Sequence, residues 1–141
     1  MLRLIRNQKG FTMIEMMVVL VIIAVLVGAG IKSYSGYIGK AKIDKAKADI
    51  STMQAAVESF YAENNFYPGT TDAASLATFG LSTDLVGTPT SYTGKTYVYN
   101  LTATDGSQYK IYTVNQVDGK YYVKGTGTNG QSEKAVTAGT Q

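Results

Sequence analysis

Residues 11–31 form an apolar run of 21 positions whose only charge is Glu15. A run of about 20 apolar residues is long enough to cross a bilayer as a helix, so it decides what the rest of the chain can be built around. A carboxylate inside such a run needs a reason, because placing an acid in hydrocarbon costs roughly 2.5 to 3.5 kcal/mol on insertion scales. The residues before it suggest one. Arg3, Arg6 and Lys9 precede the run, no acid accompanies them, and Gly10 joins them to Phe11 without a polar spacer. An ordinary secretory signal places its apolar segment ahead of the cleavage site and loses it on processing. A cut between Gly10 and Phe11 would instead keep the apolar segment and create an α-amino group four residues from Glu15, about one helical turn away. That amine, of the same chain or of a neighbour in an assembly, is the counter-charge that favours the ionised acid.

The stretch KGFTMIEMMVVLVIIAVLVGAGI resembles the class III signal and N-terminal helix of type IV pilins and type II secretion pseudopilins. YAENNFYP, at residues 61–68, is similar to the end of the long helix in many pilins and major pseudopilins. The resemblance covers roughly the first half of the chain. It implies cleavage after Gly10 by a membrane-embedded prepilin peptidase, methylation of the new N-terminus at Phe11, and a role for Glu15 in pairing with a neighbouring subunit's amine during filament assembly. Two features depart from common family patterns. Lys32 stands where many family helices carry a proline, so a bend would have to start at Gly28 and Gly30, which are weaker helix breakers. Cysteine is absent, so no disulfide closes the C-terminal region.

Competing readings of the same segment are a single-pass anchor of another kind and an uncleaved signal peptide. Neither predicts a basic ten-residue leader ending in Gly and followed by Phe-Thr-x-Ile-Glu. The basic residues ahead of the span keep the leader in the cytoplasm and send the C-terminus across the membrane.

At 141 residues, one small domain plus an anchor fills the chain. The net charge of +3 comes from the leader: of thirteen basic residues three precede Phe11, leaving ten against ten acids. Nucleic-acid binding is therefore not indicated by the basic pI, and the local run Lys40, Lys42, Lys45 and Lys47 reads as a solvated or headgroup-facing helix stretch, with Asp44 and Asp49 interleaved. Histidine is absent too, which removes the commonest general base and zinc ligand. No enzyme and no cofactor is expected.

Beyond the span, apolar residues recur at Ile38, Ala41, Ala46, Ile50, Met53, Val57, Phe60 and Tyr61, mostly at steps of three or four. This predicts one amphipathic helix continuing the span, over about 12–63 and roughly 80 Å long, stopped by Asn64, Asn65 and Pro68. Residues 69–94 read as a long loop with one helical turn and an apolar cluster of Leu76, Phe79, Leu81, Leu85 and Val86. Three β runs follow, at 96–101, 109–114 and 120–124, separated by Asp105-Gly106 and Asp118-Gly119, and predict an antiparallel meander. Alternation puts Tyr97, Tyr99 and Leu101 on one face, with Tyr109, Ile111 and Thr113, and Tyr121 in period with Val123. Residues 125–141 are expected to form a flexible tail, pinned to the head at most by Ala135 and Val136.

The expected fold is therefore α+β and pilin-like: a long N-terminal helix, transmembrane in its first half, packed by its second half against a small antiparallel sheet. The expected organisation is a removed leader at 1–10, a membrane or filament-core half-helix at 11–32, an amphipathic half at 33–65 and a head at 66–141. Eleven tyrosines invite charge-transfer or sugar-binding readings, yet tyrosine also suits half-buried strands with its hydroxyl at the rim. The family resemblance implies a calcium site in major pseudopilin heads. Asp105 and Asp118 are weak candidates for it, since two turn aspartates fall short of the roughly six to eight oxygens calcium takes.

The expected function is that of a major pilin in a type IV pilus-like filament. The alternatives are a major pseudopilin of a type II secretion system and a membrane-tethered binding module. The implied partners are copies of the chain in a helical filament, prepilin peptidase/methyltransferase, an inner-membrane assembly platform with its ATPase, and the membrane itself. The implied location is the inner membrane, then an extracellular pilus or periplasmic pseudopilus.

Overall fold

The structure, a computed structural model, describes residues 10–69 and 73–138. Arg3, Arg6 and Lys9 of the expected leader lie outside the described residues. Two units divide the chain, the first ending at Ile38 and the second starting at Gly39. One helix, α1 (Met13–Asn64), supplies the first unit and the opening of the second. Its apolar first half is long and apolar enough to cross a membrane, and none of that stretch is buried among the described residues.

Helix α1 stops where its sequence supplies a stop signal. Asn65 takes a left-handed φ of 60° and its N–H donates to the Tyr61 carbonyl at 2.8 Å, the C-terminal cap for which asparagine is the usual second choice to glycine. A short helix α2 (Ala73–Thr78) follows, closed by Gly80 at φ 80° with the Leu81 N–H returning to the Leu76 carbonyl at 3.0 Å. This is the helical turn expected within 69–94. Leu76, Phe79, Leu81 and Val86 of the predicted cluster are buried, whereas Leu85 stays half exposed.

Among the described residues the sheet has six strands: β1 (Val86–Gly87), β2 (Tyr97–Leu101), β3 (Gln108–Thr113), β4 (Tyr122–Thr128), β5 (Gln131–Ser132) and β6 (Val136–Ala138). Their order is β1-β2-β3-β4-β5, with β6 also on β4, and every pairing is antiparallel except β1 with β2. The predicted meander is its centre, β2-β3-β4, and the strand faces follow the expected alternation except at Tyr121, which precedes β4 and is exposed, and at Leu101, which is only half-buried. Tyr97, Tyr99, Tyr109, Ile111, Thr113 and Val123 are all buried. Val98 is buried as well, so β2 is covered on both faces, which period-two alternation alone did not predict.

The core lies where the second half of α1 meets the sheet. Ala46, Ile50 and Val57 from the helix join Tyr97, Tyr99, Tyr109, Ile111 and Val123 from the strands and Leu76, Phe79 and Leu81 from the α2 region. Half-buried Ile43, Met53, Phe60 and Tyr61 pack at its margin.

The expectation of a flexible tail over 125–141 needs correction over 125–138, and residues 139–141 lie outside the described residues. Strand β4 runs on to Thr128, and β5 and β6 both pair with it. The missed reason is glycine. A Cβ on Gly125 would lie 2.7 Å from Ile50 Cγ2 and 2.8 Å from Gln54 Cδ, and one on Gly127 would run into the Tyr109 ring and the Glu58 carboxylate. Glycines that look like loop residues are thus the places where a strand presses its backbone directly on a helix. Asn129-Gly130, both at left-handed φ (51° and 80°), form the two-residue turn that a hairpin with right-handed twist prefers. Ala135 joins the core as expected, while Val136 pairs with Lys124 and remains half exposed.

Candidate functional site

The strongest candidate site is the start of α1. Thr12 and Glu15 bind each other reciprocally: Glu15 Oε2 accepts from the Thr12 backbone N–H at 2.7 Å and from its hydroxyl at 2.7 Å, while Thr12 Oγ1 accepts from the Glu15 N–H at 3.3 Å. This is a capping box, in which two of the donors left unpaired by a helix N-terminus are satisfied by side chains. The signature is Thr-x-x-Glu at residues 12–15. Its consequence is positional. The carboxylate is turned back toward residue 12, one residue from where an amine on Phe11 would stand, and Oε1 accepts no hydrogen bond among the described residues.

Gly10 and Phe11 precede the helix, both exposed, with nothing within 4 Å of a Cβ built on Gly10. Past Glu15 the apolar side chains stand free: Leu20 is 65 % exposed and Val25 67 %. A helix apolar on all sides requires a partner on all sides, either lipid or other helices. Helix α1 runs unbroken through Gly28 and Gly30, where a Cβ would meet open space, so within this chain neither glycine is demanded by packing.

The calcium candidates do not come together. Asp105 Oδ1 accepts from the Ser107 N–H at 3.0 Å and from its hydroxyl at 2.6 Å, which holds that carboxyl below the usual carboxylate range. The adjacent Gly106 sits against Phe66 and Tyr67, just past the end of α1. Asp118 lies instead over Gly39, the first residue of the second unit. The stretch of α1 between those points spans roughly 35 Å at 1.5 Å per residue. No group of three or more acidic side chains positioned to hold a metal occurs among the described residues.

Within the head, three polar residues on the buried stripe of α1 were missed. Asp49 Oδ2 accepts from the Tyr97 hydroxyl at 2.7 Å. Gln54 donates through Nε2 to the Thr126 and Glu133 carbonyls at 2.9 and 2.8 Å, tying the helix to both sides of the β4–β5 hairpin. Glu58 accepts from the hydroxyls of Tyr67 and Tyr109, each at 3.1 Å. Their spacing, 49, 54 and 58, follows the apolar stripe, and polar residues on such a stripe are buried only where partners satisfy them. With Tyr99 donating to the Pro68 carbonyl at 3.0 Å, four tyrosines anchor their hydroxyls, three of them in strands as expected but buried more deeply than the half-buried role their positions suggested. Burial, followed by the acidic neighbours, pushes the phenols of Tyr97 and Tyr109 far up, and burial raises that of Tyr67 to about 12 against the lowering effect of the Gly130 N–H.

The two halves of this description match two known families. Residues 5–31 match the prokaryotic N-terminal methylation motif, and residues 33–138 match the family described as type II secretion system protein G. The chain belongs to the type II secretion protein G family. With the methylation motif, this places it in the broader group of type IV pilins and pseudopilins. Relatives of both kinds share its sequence. A type II secretion system core protein G of Pectobacterium carotovorum subsp. carotovorum is 39 % identical over 64 residues, 45 % of this chain and 41 % of its own length. A protein of the same description from Escherichia coli is 39 % identical over 64 residues, 45 % of this chain and 44 % of its own length. A fimbrial protein of Neisseria meningitidis serogroup B is 32 % identical over 71 residues, 50 % of this chain and 42 % of its own length. The chain spans less than half the length of these curated relatives. No solved structure matches it.

Proposed function

We propose that this chain is a structural subunit of a pilin-class filament, a substrate of processing enzymes and not an enzyme. The observation that carries the reading is an apolar helical run with no cover of its own, opened by a carboxylate that the Thr12 cap holds at the N-terminal end. In this reading the precursor sits in the inner membrane with residues 1–10 in the cytoplasm. Prepilin peptidase cuts after Gly10 and the new N-terminus is methylated at Phe11. An assembly platform and its ATPase then move residues 11–32 from lipid into a bundle of identical helices, while residues 33–65 carry the head at 66–141. Gly28 and Gly30 are where the helix would bend if the bundle required it.

Glu15 acts as the register device. Its free Oε1 pairs with the Phe11 amine of a neighbouring subunit, and a subunit out of step leaves a charge on each side unpaired in an apolar bundle. That costs several kcal/mol, whereas apolar contacts alone tolerate sliding.

The match of the head to secretion protein G over 33–138 favours the periplasmic pseudopilus of a type II secretion system. A type IV pilus at the cell surface is the second reading, favoured by the fimbrial relatives. Electron microscopy of sheared surface material, with mass spectrometry of its main subunit, decides between them alongside a secretion assay on a deletion strain. Surface filaments made of this chain with secretion intact support the pilus. Lost secretion with no surface filament supports the pseudopilus. A mature chain that still carries residues 1–10 and polymerises normally overturns both.

A further inference from the structure

The β4–β5 turn joins an asparagine directly to a glycine. Asn129 is exposed and is followed by Gly130, which has no side chain to hinder attack on its neighbour. In an Asn-Gly pair the glycine's backbone nitrogen, losing its proton to base, can bond to the asparagine Cγ, and the carboxamide nitrogen leaves as ammonia. Water then opens the resulting succinimide to aspartate or isoaspartate. Both φ angles in this turn are left-handed, 51° and 80°, and the flanking pairs Thr128↔Gln131 and Gly127↔Ser132 fix them.

The attacking nitrogen is already engaged. The Gly130 N–H donates to the Tyr67 hydroxyl oxygen at 2.9 Å, and that hydroxyl in turn donates to the Glu58 carboxylate at 3.1 Å. A phenol giving its proton to a carboxylate is a better acceptor, so the two bonds strengthen each other. The face of Gly130 is also closed, since a Cβ there would lie 3.0 Å from the edge of the Tyr61 ring. On the other side of the turn, the Asn129 N–H is held by the Ser107 carbonyl at 2.9 Å.

We propose that Asn129-Gly130 is a deamidation site that the folded head keeps slow, with Tyr67 as the residue that positions and protects the reacting nitrogen. The lesion would not stay local. Isoaspartate inserts a methylene into the backbone of a two-residue turn, so the register of β4 with β5 is lost, along with the Gln54 bond to the Glu133 carbonyl that depends on it.

The test follows conversion at Asn129 by peptide mass spectrometry of the full chain in detergent micelles in mildly alkaline buffer. The comparison is wild type, wild type in denaturant, Tyr67→Phe and Tyr109→Phe. Denatured chain should convert fastest. Tyr67→Phe should convert roughly three to ten times faster than wild type, the factor for one hydrogen bond. Tyr109→Phe removes a hydroxyl from the same Glu58 carboxylate without touching the turn, and should stay close to wild type. Equal rates for native and denatured wild type, or for wild type and a folded Tyr67→Phe, overturn the proposal. If Tyr67→Phe fails to fold, amide exchange in wild type decides: slow exchange at Gly130 supports the lock, and exchange as fast as in an open loop removes it.

Discussion

Residues 13–31 and 46–58 are two stretches of one helix, equally regular and both rich in apolar side chains. In the first, Leu20 and Val21 are about two-thirds exposed, and in the second Ile50 and Val57 are fully buried. Secondary structure does not separate them. The second stretch is amphipathic, with Ala48, Ser51, Thr52 and Ala55 on the exposed side, so its other face can be finished by a sheet from the same chain. The first is apolar around its whole circumference, and no small head can cover a helix on every side. The same backbone geometry therefore yields an internal core in one place and a surface awaiting lipid or other subunits in the other.

The sharpest way to break this comparison is to damage one stretch and read out the other. Glu15→Ala should reduce assembled filament by more than about tenfold, the scale set by leaving a buried charge unpaired, with thermal unfolding of the head unchanged by circular dichroism. Normal filament yield would remove Glu15 from assembly. Ile50→Ala should do the reverse, destabilising the head by about 2 to 5 kcal/mol in urea titrations because Ile50 is fully buried. Cleavage after Gly10, followed by mass, should continue in that variant.

Smaller changes probe how closely the sheet sits on the helix. Gly127→Ala should cost about 1 to 3 kcal/mol by overpacking against Tyr109 and Glu58. The same change at Gly28 or Gly30 meets open space and should leave the isolated chain as stable or slightly more helical. If Gly127→Ala is as harmless as Gly28→Ala, the close strand–helix approach is wrong.

The smallest effect expected is an alkaline one confined to the head. Burial holds the Tyr67 phenol neutral and raises it from 10.0 to about 12. Folding thus opposes its ionisation, and the stability linked to the neutral form is complete below about pH 10 and declines as the pH climbs toward 12. Tyr97, Tyr99 and Tyr109 are shifted the same way, each chiefly by burial. Urea midpoints measured at about pH 9 and about pH 11 should fall at the higher value. Helicity of the apolar stretch, which holds no tyrosine, should not follow them. A flat profile would mean that the tyrosine hydroxyls are in water.

Elements whose signal is local were legible early. The span, the end of α1 near Asn65, the meander and the inward tyrosines follow from length, period and turn residues. The C-terminal strands were not, because Gly125 and Gly127 carry no apolar signal and are informative only once a helix lies against them. The site divides in the same way. Glu15 stands out as a charge in an apolar run, whereas its bond to Thr12 follows from a Thr-x-x-Glu spacing that carries no charge signal. Asp105 and Asp118 occupy similar turns in sequence and stand at opposite ends of the packed helix.

By itself the sequence determined where the chain is apolar, how long that stretch is, and that one acid interrupts it, because composition and periodicity are properties of adjacent residues. Only the tertiary structure decided that glycines become contact points, that Gln54 and Glu58 find partners dozens of residues away, and that the last strands join the sheet. Those outcomes depend on which surfaces meet at close range, and distances between remote residues exist only after folding.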